Sequence, residues 1–345
     1  MFRFLNSTTS SVTTSAVIIS VATLASRAVG IARDRILAHA FGAGPVLDAY
    51  YAAFKIPDLI YNLLIVGALT AGFIPVFTKL LTERDDRKRA FGLANNFITI
   101  IGVSLAVIGA LGALSAPLLS RLIAPGFAGE RFTWLVSFMR VMFLSPFLLG
   151  ISMVLGGILQ SLRQFVLYSI APVFYNVGII IGALFLTPRL GAIGLAWGVV
   201  LGAFLHLLVQ MLGAYQNEYH WRWRFDTADS NTRRVAKLMA PRTIGLAVSQ
   251  LNLVILTILA SFLPSGSVAV YNFASNLQAV PIGLIGIPFA LAVFPLLSEA
   301  AGRSDTKEFV TQASAALRQI LFLILPATVL LLLLRAQVID RKSVV

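Results

Sequence analysis

Nine apolar runs succeed one another along this 345-residue chain, near positions 15–40, 48–79, 91–120, 132–158, 163–186, 191–215, 235–262, 268–298 and 310–336. Each reaches the roughly 20 residues a helix needs to cross a hydrocarbon core. With 58% hydrophobic and 12% charged residues and a mean hydropathy of +0.87, the chain has too little polar surface to cover a soluble globule. The expected class is therefore all-α and multi-pass, and the longer runs must tilt, kink or project beyond the bilayer.

The net charge of +13 would suggest nucleic acid in a soluble domain, but the basic residues fall largely in short connections. Lys79, Arg84, Arg87, Lys88 and Arg89 follow the second run, and Arg163 follows the fourth. Arg222, Arg224, Arg233, Arg234 and Lys237 follow the sixth, and Arg303 and Lys307 the eighth. The alternate connections are nearly bare, with FGAGPV, Arg131, Arg189 and LPSGS. By the positive-inside rule the N-terminus is expected in the cytoplasm. The stretch before Ser15 is polar with one Arg, and no small-residue cleavage site follows, so the first run reads as a retained span. Cysteine is absent, which excludes a disulfide framework, a thiolate metal site and a thiol nucleophile.

A weak internal repeat runs through the chain. From Gly44 it reads G-P-V, Tyr51-Ala52, Pro57, Gly67 and Phe73-Ile74-Pro75. From Gly266 it reads G-S-V, Phe273-Ala274, Pro281, Gly286 and Phe294-Pro295, at an offset near 222. The second and eighth runs are then counterparts, and the seventh opens a second bundle with the direction of the first. Parallel repeats of this kind are a transporter architecture, with substrate handled between the halves. Pro57, Pro75, Pro146, Pro172, Pro281, Pro288 and Pro295 suggest bent helices around a cavity.

The stretch 26–77 carries Arg27, Arg33, Asp34, Arg35, Asp48 and Lys55 where the surroundings are built for lipid. A charge at the centre of a spanning helix costs about 2.5–3.5 kcal/mol on insertion scales, so such residues mark a function by default. At 100° per residue, Thr23, Ser26, Arg27, Gly30, Arg33 and Asp34 share one arc. That face either lines a cavity, where planar guanidinium groups receive an anionic headgroup, or it holds arginines that pair with Asp34 or Asp48 or snorkel to the interface. The cluster is net positive, which favours an anionic ligand. Arg35 points away from the arc and is expected only to orient the helix.

The motifs S-R-x-x-G-x-x-R-D at 26–34, A-x-x-F-G-A-G at 38–44, Asp48-Ala49, F-K-I-P at 54–57, Gly67-Ala68 and F-I-P-V at 73–76 closely resemble the start of the MurJ (MviN) family of lipid II flippases. That family belongs to the multidrug, oligosaccharide-lipid and polysaccharide exporter superfamily. Looser matches follow in A-P-G-F at 124–127, A-P-x-x-x-N at 171–176, V-S-Q-L-N at 248–252, A-S-F-L-x-S-G-S-V at 260–268 and P-I-G-L-I-G from Pro281. The resemblance implies two six-helix lobes around a cavity, and carriage of an undecaprenyl-diphosphate-linked peptidoglycan precursor from the cytoplasmic to the outer leaflet. It also implies functional charges at Arg27, Arg33 and Asp48. The chain departs from the pattern at Tyr61, Asn62 and Val66, where many members carry an Arg-Arg pair and then a Glu, and at Ser275 and Asn276, where they carry Asp-Arg. Asn62, Asn276 and Gln278 would then supply neutral hydrogen bonds to the substrate.

Other motifs have plainer readings. His39, His206 and His220 are too scattered for a metal site, and no carboxylate pair has acid/base spacing. Gly150, Gly156-Gly157 and the glycines of 191–202 lack a P-loop lysine and read as close helix packing. The HWRWRFD run at 220–226 reads as an interfacial anchor. The polar stretch 271–278 fits either a cavity wall or helix–helix hydrogen bonding.

The sequence thus predicts a non-enzymatic, multi-pass flippase of the bacterial inner membrane working by alternating access. Another lipid-linked oligosaccharide or solute exporter of the superfamily and a non-transporting membrane scaffold are the rival readings. Expected substrate-binding residues are Ser26, Arg27, Arg33, Asp34, Asp48, Lys55, Asn62 and Asn276. No cofactor or metal is expected, while dependence on the membrane potential or an ion gradient stays open. Partners are the diphosphate-linked lipid, the bilayer and, as candidates, cell-wall synthesis proteins, with no nucleic acid. The expected organisation is a six-helix bundle at 1–215, a cytoplasmic linker at 216–234 and a partial second bundle of three helices at 235–339. The last six residues, 340–345, resemble the translation of a sequencing-library adapter, GAT CGG AAG AGC GTC GTG followed by a stop, so truncation is expected; a natural basic tail is the alternative.

Overall fold

The structure, a computed structural model, describes residues 12–66, 69–83, 87–303 and 305–333. The polar start of the chain, Gly67-Ala68, Arg84 and the tail at 340–345 lie outside the described residues. Every regular element described is helical: α1 (Val12–Phe41), α2 (Pro45–Ala53), α3 (Lys55–Tyr61), α4 (Ile74–Glu83), α5 (Arg87–Leu114), α6 (Ala116–Ile123), α7 (Gly129–Met142), α8 (Leu144–Ser161), α9 (Phe165–Ile181), α10 (Thr187–Leu190), α11 (Ile193–Gln216), α12 (Ser230–Ser261), α13 (Ser267–Pro281), α14 (Ile287–Gly302) and α15 (Thr306–Leu333). Six continuous helical stretches among the described residues are long and apolar enough to cross a membrane. The other three expected passes are α1, with its charges, and the interrupted paths α2–α4 and α13–α14.

Those two interrupted paths are built alike. Gly44 caps the start of α2 and Gly266 the start of α13, at the offset the repeat predicts, and each path later passes through π-helical turns. Tyr51 and Phe273, counterparts in the repeat, meet edge to face with ring centroids 5.5 Å apart. Parallel repeats related by an axis along the membrane normal bring counterparts together in this way.

Where the packing is tightest, glycine makes it so. On α9 and its π-helical extension, Gly178 and Gly182 lie against Gly202 and Gly198 of α11, and a Cβ on any of the four would overlap the facing backbone. With no side chains between them the backbones touch, the small-residue packing expected from the glycine spacing. Pro172 inside α9 removes the N–H that would bond the carbonyl of Tyr168. Gln210 Nε2 donates to that carbonyl at 3.2 Å instead, so the carbonyl freed by the proline keeps a partner, while Gln210 Oε1 is itself buried without one.

The connection after α11 is an ordered strap. Asn95 of α5 accepts from Tyr219 Oη (2.7 Å) and the backbone N–H of Arg222 (3.0 Å). Its neighbour Asn96 accepts from the Asp226 N–H and donates to both the Asp226 carbonyl and Thr232 Oγ1, all at 2.7 Å. Burial raises the Tyr219 phenol above its ordinary range, so it stays a donor. Asp229 then caps α12 by accepting from the Thr232 N–H at 2.8 Å.

Candidate functional site

α1 runs beside α9 and α13 and turns its charged arc toward both. Ion-pair and hydrogen-bond geometry settles how each charge is held. Arg33 gives Nε and Nη2 to Asp34 Oδ1 at 2.9 and 2.7 Å and Nη1 to Asn176 Oδ1 at 2.8 Å. Asp34 Oδ2 accepts from Asn276 Nδ2 of α13 at 2.9 Å. Arg33 is thus engaged on every face of its fork, in a chain that ties α9 through α1 to α13. With side-chain exposures of 19% and 15%, the Arg33–Asp34 pair is largely desolvated, and removing one partner would strand the other.

Arg27 is held differently. Nη1 donates to the carbonyl of Ala279 at 2.8 Å, and no carboxylate pairs with it among the described residues. Its guanidinium lies over Gly283, where any Cβ would overlap it. Arg27 therefore closes the seam between α1 and α13 by one neutral bond, which an anion would outcompete because charge-assisted bonds are roughly twice as strong.

Two adjoining hollows result. The outer one, about 220 Å³, is lined by Arg27, Gly30, Arg33, Asp34 and Arg35 of α1 and by Asn276 of α13. Arg35, expected to point away, is an exposed member of this wall, a correction to the helical-wheel reading. The cleft wraps α1 far enough to take in Arg27, Ile31 and Arg35, spaced four apart on one side. The inner hollow, about 200 Å³, shares Arg33 and Asn276 and adds Lys55, Asp58, Asn272 and Tyr175. There Lys55 Nζ donates to Asn272 Oδ1 at 3.1 Å. Across both hollows four cationic side chains face two carboxylates.

Of the residues expected to bind substrate, Arg27, Arg33, Asp34, Lys55 and Asn276 are brought together. Ser26, Asp48 and Asn62 line neither hollow. Asn62 Nδ2 bonds the Asp58 carbonyl of its own helix at 2.8 Å. Asp48 is fully buried elsewhere, accepting from Arg131 Nη2 (2.8 Å), the Gly266 N–H (2.7 Å) and the Ala269 N–H (2.9 Å). Arg131 in turn lies 4.1 Å over the Phe127 ring. Asp58 and Asn176 were missed as site residues, and Asn272 was read only as part of the polar stretch 271–278. Asp58 was findable, being one turn beyond Lys55 and on the same face.

A multi-pass helical membrane protein, with bent, repeated passes and a polar cleft between its parts, is a transporter in architecture. The family model for lipid II flippase MurJ matches residues 37–340, and the chain belongs to that family. Its members are flippases rather than enzymes. The chain is 33% identical over 335 residues to the probable lipid II flippase MurJ of Rhizobium tropici, covering 92% of this chain and 61% of that protein. It is 32% identical over 320 residues to lipid II flippase MurJ of Burkholderia cenocepacia, covering 90% and 61%. The chain thus spans about three-fifths of the length of these curated relatives. In fold it is similar to a lipid II flippase MurJ in an inward closed conformation (TM-score 0.74, 24% identity, 92% of this chain and 65% of that one). It is also similar to an inward-facing multidrug resistance transporter of the MATE family (TM-score 0.67, 19% identity, 90% and 70%).

Proposed function

We propose that this chain takes part in moving lipid II from the cytoplasmic to the outer leaflet of a bacterial inner membrane, with its N-terminus in the cytoplasm. The observation that carries the reading is Arg27, a guanidinium at the α1–α13 seam held by a single neutral carbonyl. A diphosphate entering the outer hollow takes Arg27 from Ala279, meets Arg35 at the rim, and in doing so loosens the seam. Ligand binding and opening are then one event, which is what alternating access requires. Arg33 and Asp34 position rather than bind, since their atoms are already committed to each other and to Asn176 and Asn276. Lys55 and Asp58 in the inner hollow are the groups on which a membrane potential or ion gradient would act.

The test is growth of a flippase-depleted bacterium carrying a full-length version of this protein, with lipid II exposure on the outer leaflet as the direct readout. Arg27→Ala is expected to abolish both while the protein inserts normally, and Arg27→Lys to be impaired because a point charge replaces a fork. Unchanged lipid II exposure in both variants would overturn the reading. The neutral residues at Tyr61, Asn62, Ser275 and Asn276 favour one second reading, a lipid-linked oligosaccharide with fewer negative charges. That reading gains if export of such a lipid, but not of lipid II, depends on Arg27.

A further inference from the structure

A larger concave surface, sharing no lining residue with the cleft, is walled by α5, α8 and α11. Its volume, about 720 Å³, falls within the roughly 300–1,000 Å³ usual for ligand sites. The walls are apolar, with Val103 on α5, Phe147 and Ile151 on α8, and Leu207 and Met211 on α11. Lining residues run over 98–106, 147–155 and 207–215 on the three helices, each a rise of about 12 Å. That depth is close to one leaflet of a hydrocarbon core about 30 Å thick. The groove therefore has the length of an acyl chain in a single leaflet.

Its mouth has the chemistry of a headgroup site. The strap after α11 places His220, Trp221 and Trp223 at the open end. His220 meets Tyr215 edge to face at 5.0 Å and Trp221 meets Trp223 at 6.0 Å, the amphipathic rings that settle at the lipid–water boundary. Between the tryptophans stands Arg222, exposed and without an ion pair among the described residues. Its backbone N–H is fixed on Asn95, so the main chain is anchored beside the mouth while the guanidinium, which is not itself part of the groove wall, is free to reach a headgroup there. Nearby Arg224 is neutralised by Asp226 and Asp229 at 3.5 and 3.6 Å, which leaves Arg222 as the unmatched charge.

We propose that this groove holds one acyl chain of an anionic phospholipid, with the lipid phosphate on Arg222. A purely apolar partner would fill the walls but leave Arg222 unanswered. A free phosphate would answer Arg222 but leave the walls empty. The lipid satisfies both at once.

Native mass spectrometry of the intact chain in detergent tests this, using dioleoyl phosphatidylglycerol and dioleoyl phosphatidylcholine as the added probes. A one-to-one phosphatidylglycerol adduct should outlast the phosphatidylcholine adduct. Ala106→Phe fills the groove from an exposed position on its α5 wall and should remove the adduct. Arg222→Glu should weaken phosphatidylglycerol retention by about fivefold or more, the scale of one arginine at an anionic surface, and abolish the preference between lipids. Both changes fall on exposed positions, and the helical content of each variant is measured alongside. Equal retention of the two lipids by the parent chain, or phosphatidylglycerol retention in both folded variants equal to the parent's, overturns the proposal.

Discussion

The carboxylate of Asp48 accepts the backbone N–H of Ala269 at 2.9 Å, although the two residues stand 221 apart in the chain. Together with the bond from Gly266, it caps α13 from another helix, doing what an N-cap side chain does locally. Gly266, in the left-handed region at φ 96°, has no side chain of its own to serve. Arg131 completes the junction at 2.8 Å. Asp48→Ala would strand two N–H groups and a largely buried guanidinium, an expected loss of about 3–5 kcal/mol. Asp48→Asn, which keeps the shape and an acceptor oxygen, should fall between. Thermal unfolding of the purified variants reads this, and an Asp48→Ala midpoint equal to the parent's would contradict it.

Gly283→Ala should expel the Arg27 guanidinium from its place over the backbone of the eighth pass. The far end of a flexible side chain can move, so the fold should survive. Arginine-selective modification with phenylglyoxal, followed by peptide mapping, should show Arg27 more reactive in the variant. Unaltered reactivity would mean that the seam is not held by this contact.

Gly178→Ala should destabilise the α9–α11 pair by about 1–3 kcal/mol, the usual range for forcing extra methylenes into a packed interior. Here the obstruction is the backbone at Gly202. Gly245→Ala, where a Cβ would meet nothing within 4 Å, serves as the matched control and should not lower the unfolding midpoint. Equal effects in the two variants would remove the argument for backbone contact.

Single cysteines at Thr227 and Arg303 should be shielded from a membrane-impermeant maleimide in intact cells and labelled after permeabilisation. The chain has no cysteine of its own, so the background is clean. The expectation rests on the Lys/Arg excess in those connections, and labelling from outside would reverse the topology.

Helix class, pass order and the charged arc of α1 were legible because each rests on local periodicity and composition. Asp48 was not: in sequence it is one more charge beside Arg27 and Arg33, and only the approach of Arg131 and Gly266 from distant segments makes it structural. Arg35 was misassigned because an arc drawn on one helix ignores a neighbour such as α13 that wraps its side. The π-helical turns had no readable signal, since a one-residue change in hydrogen-bond register leaves composition untouched. Gln210 was passed over for a similar reason, as its partner carbonyl is freed by a proline on another helix.

The strap between α11 and α12 carries a mechanical consequence. Asn96 grips both the Asp226 backbone and Thr232 in the first turn of α12, so the connector is tied down at the point where α12 begins. A tilt of α12 that displaces Thr232 must therefore carry Asn96 of α5 with it or break that hydrogen bond.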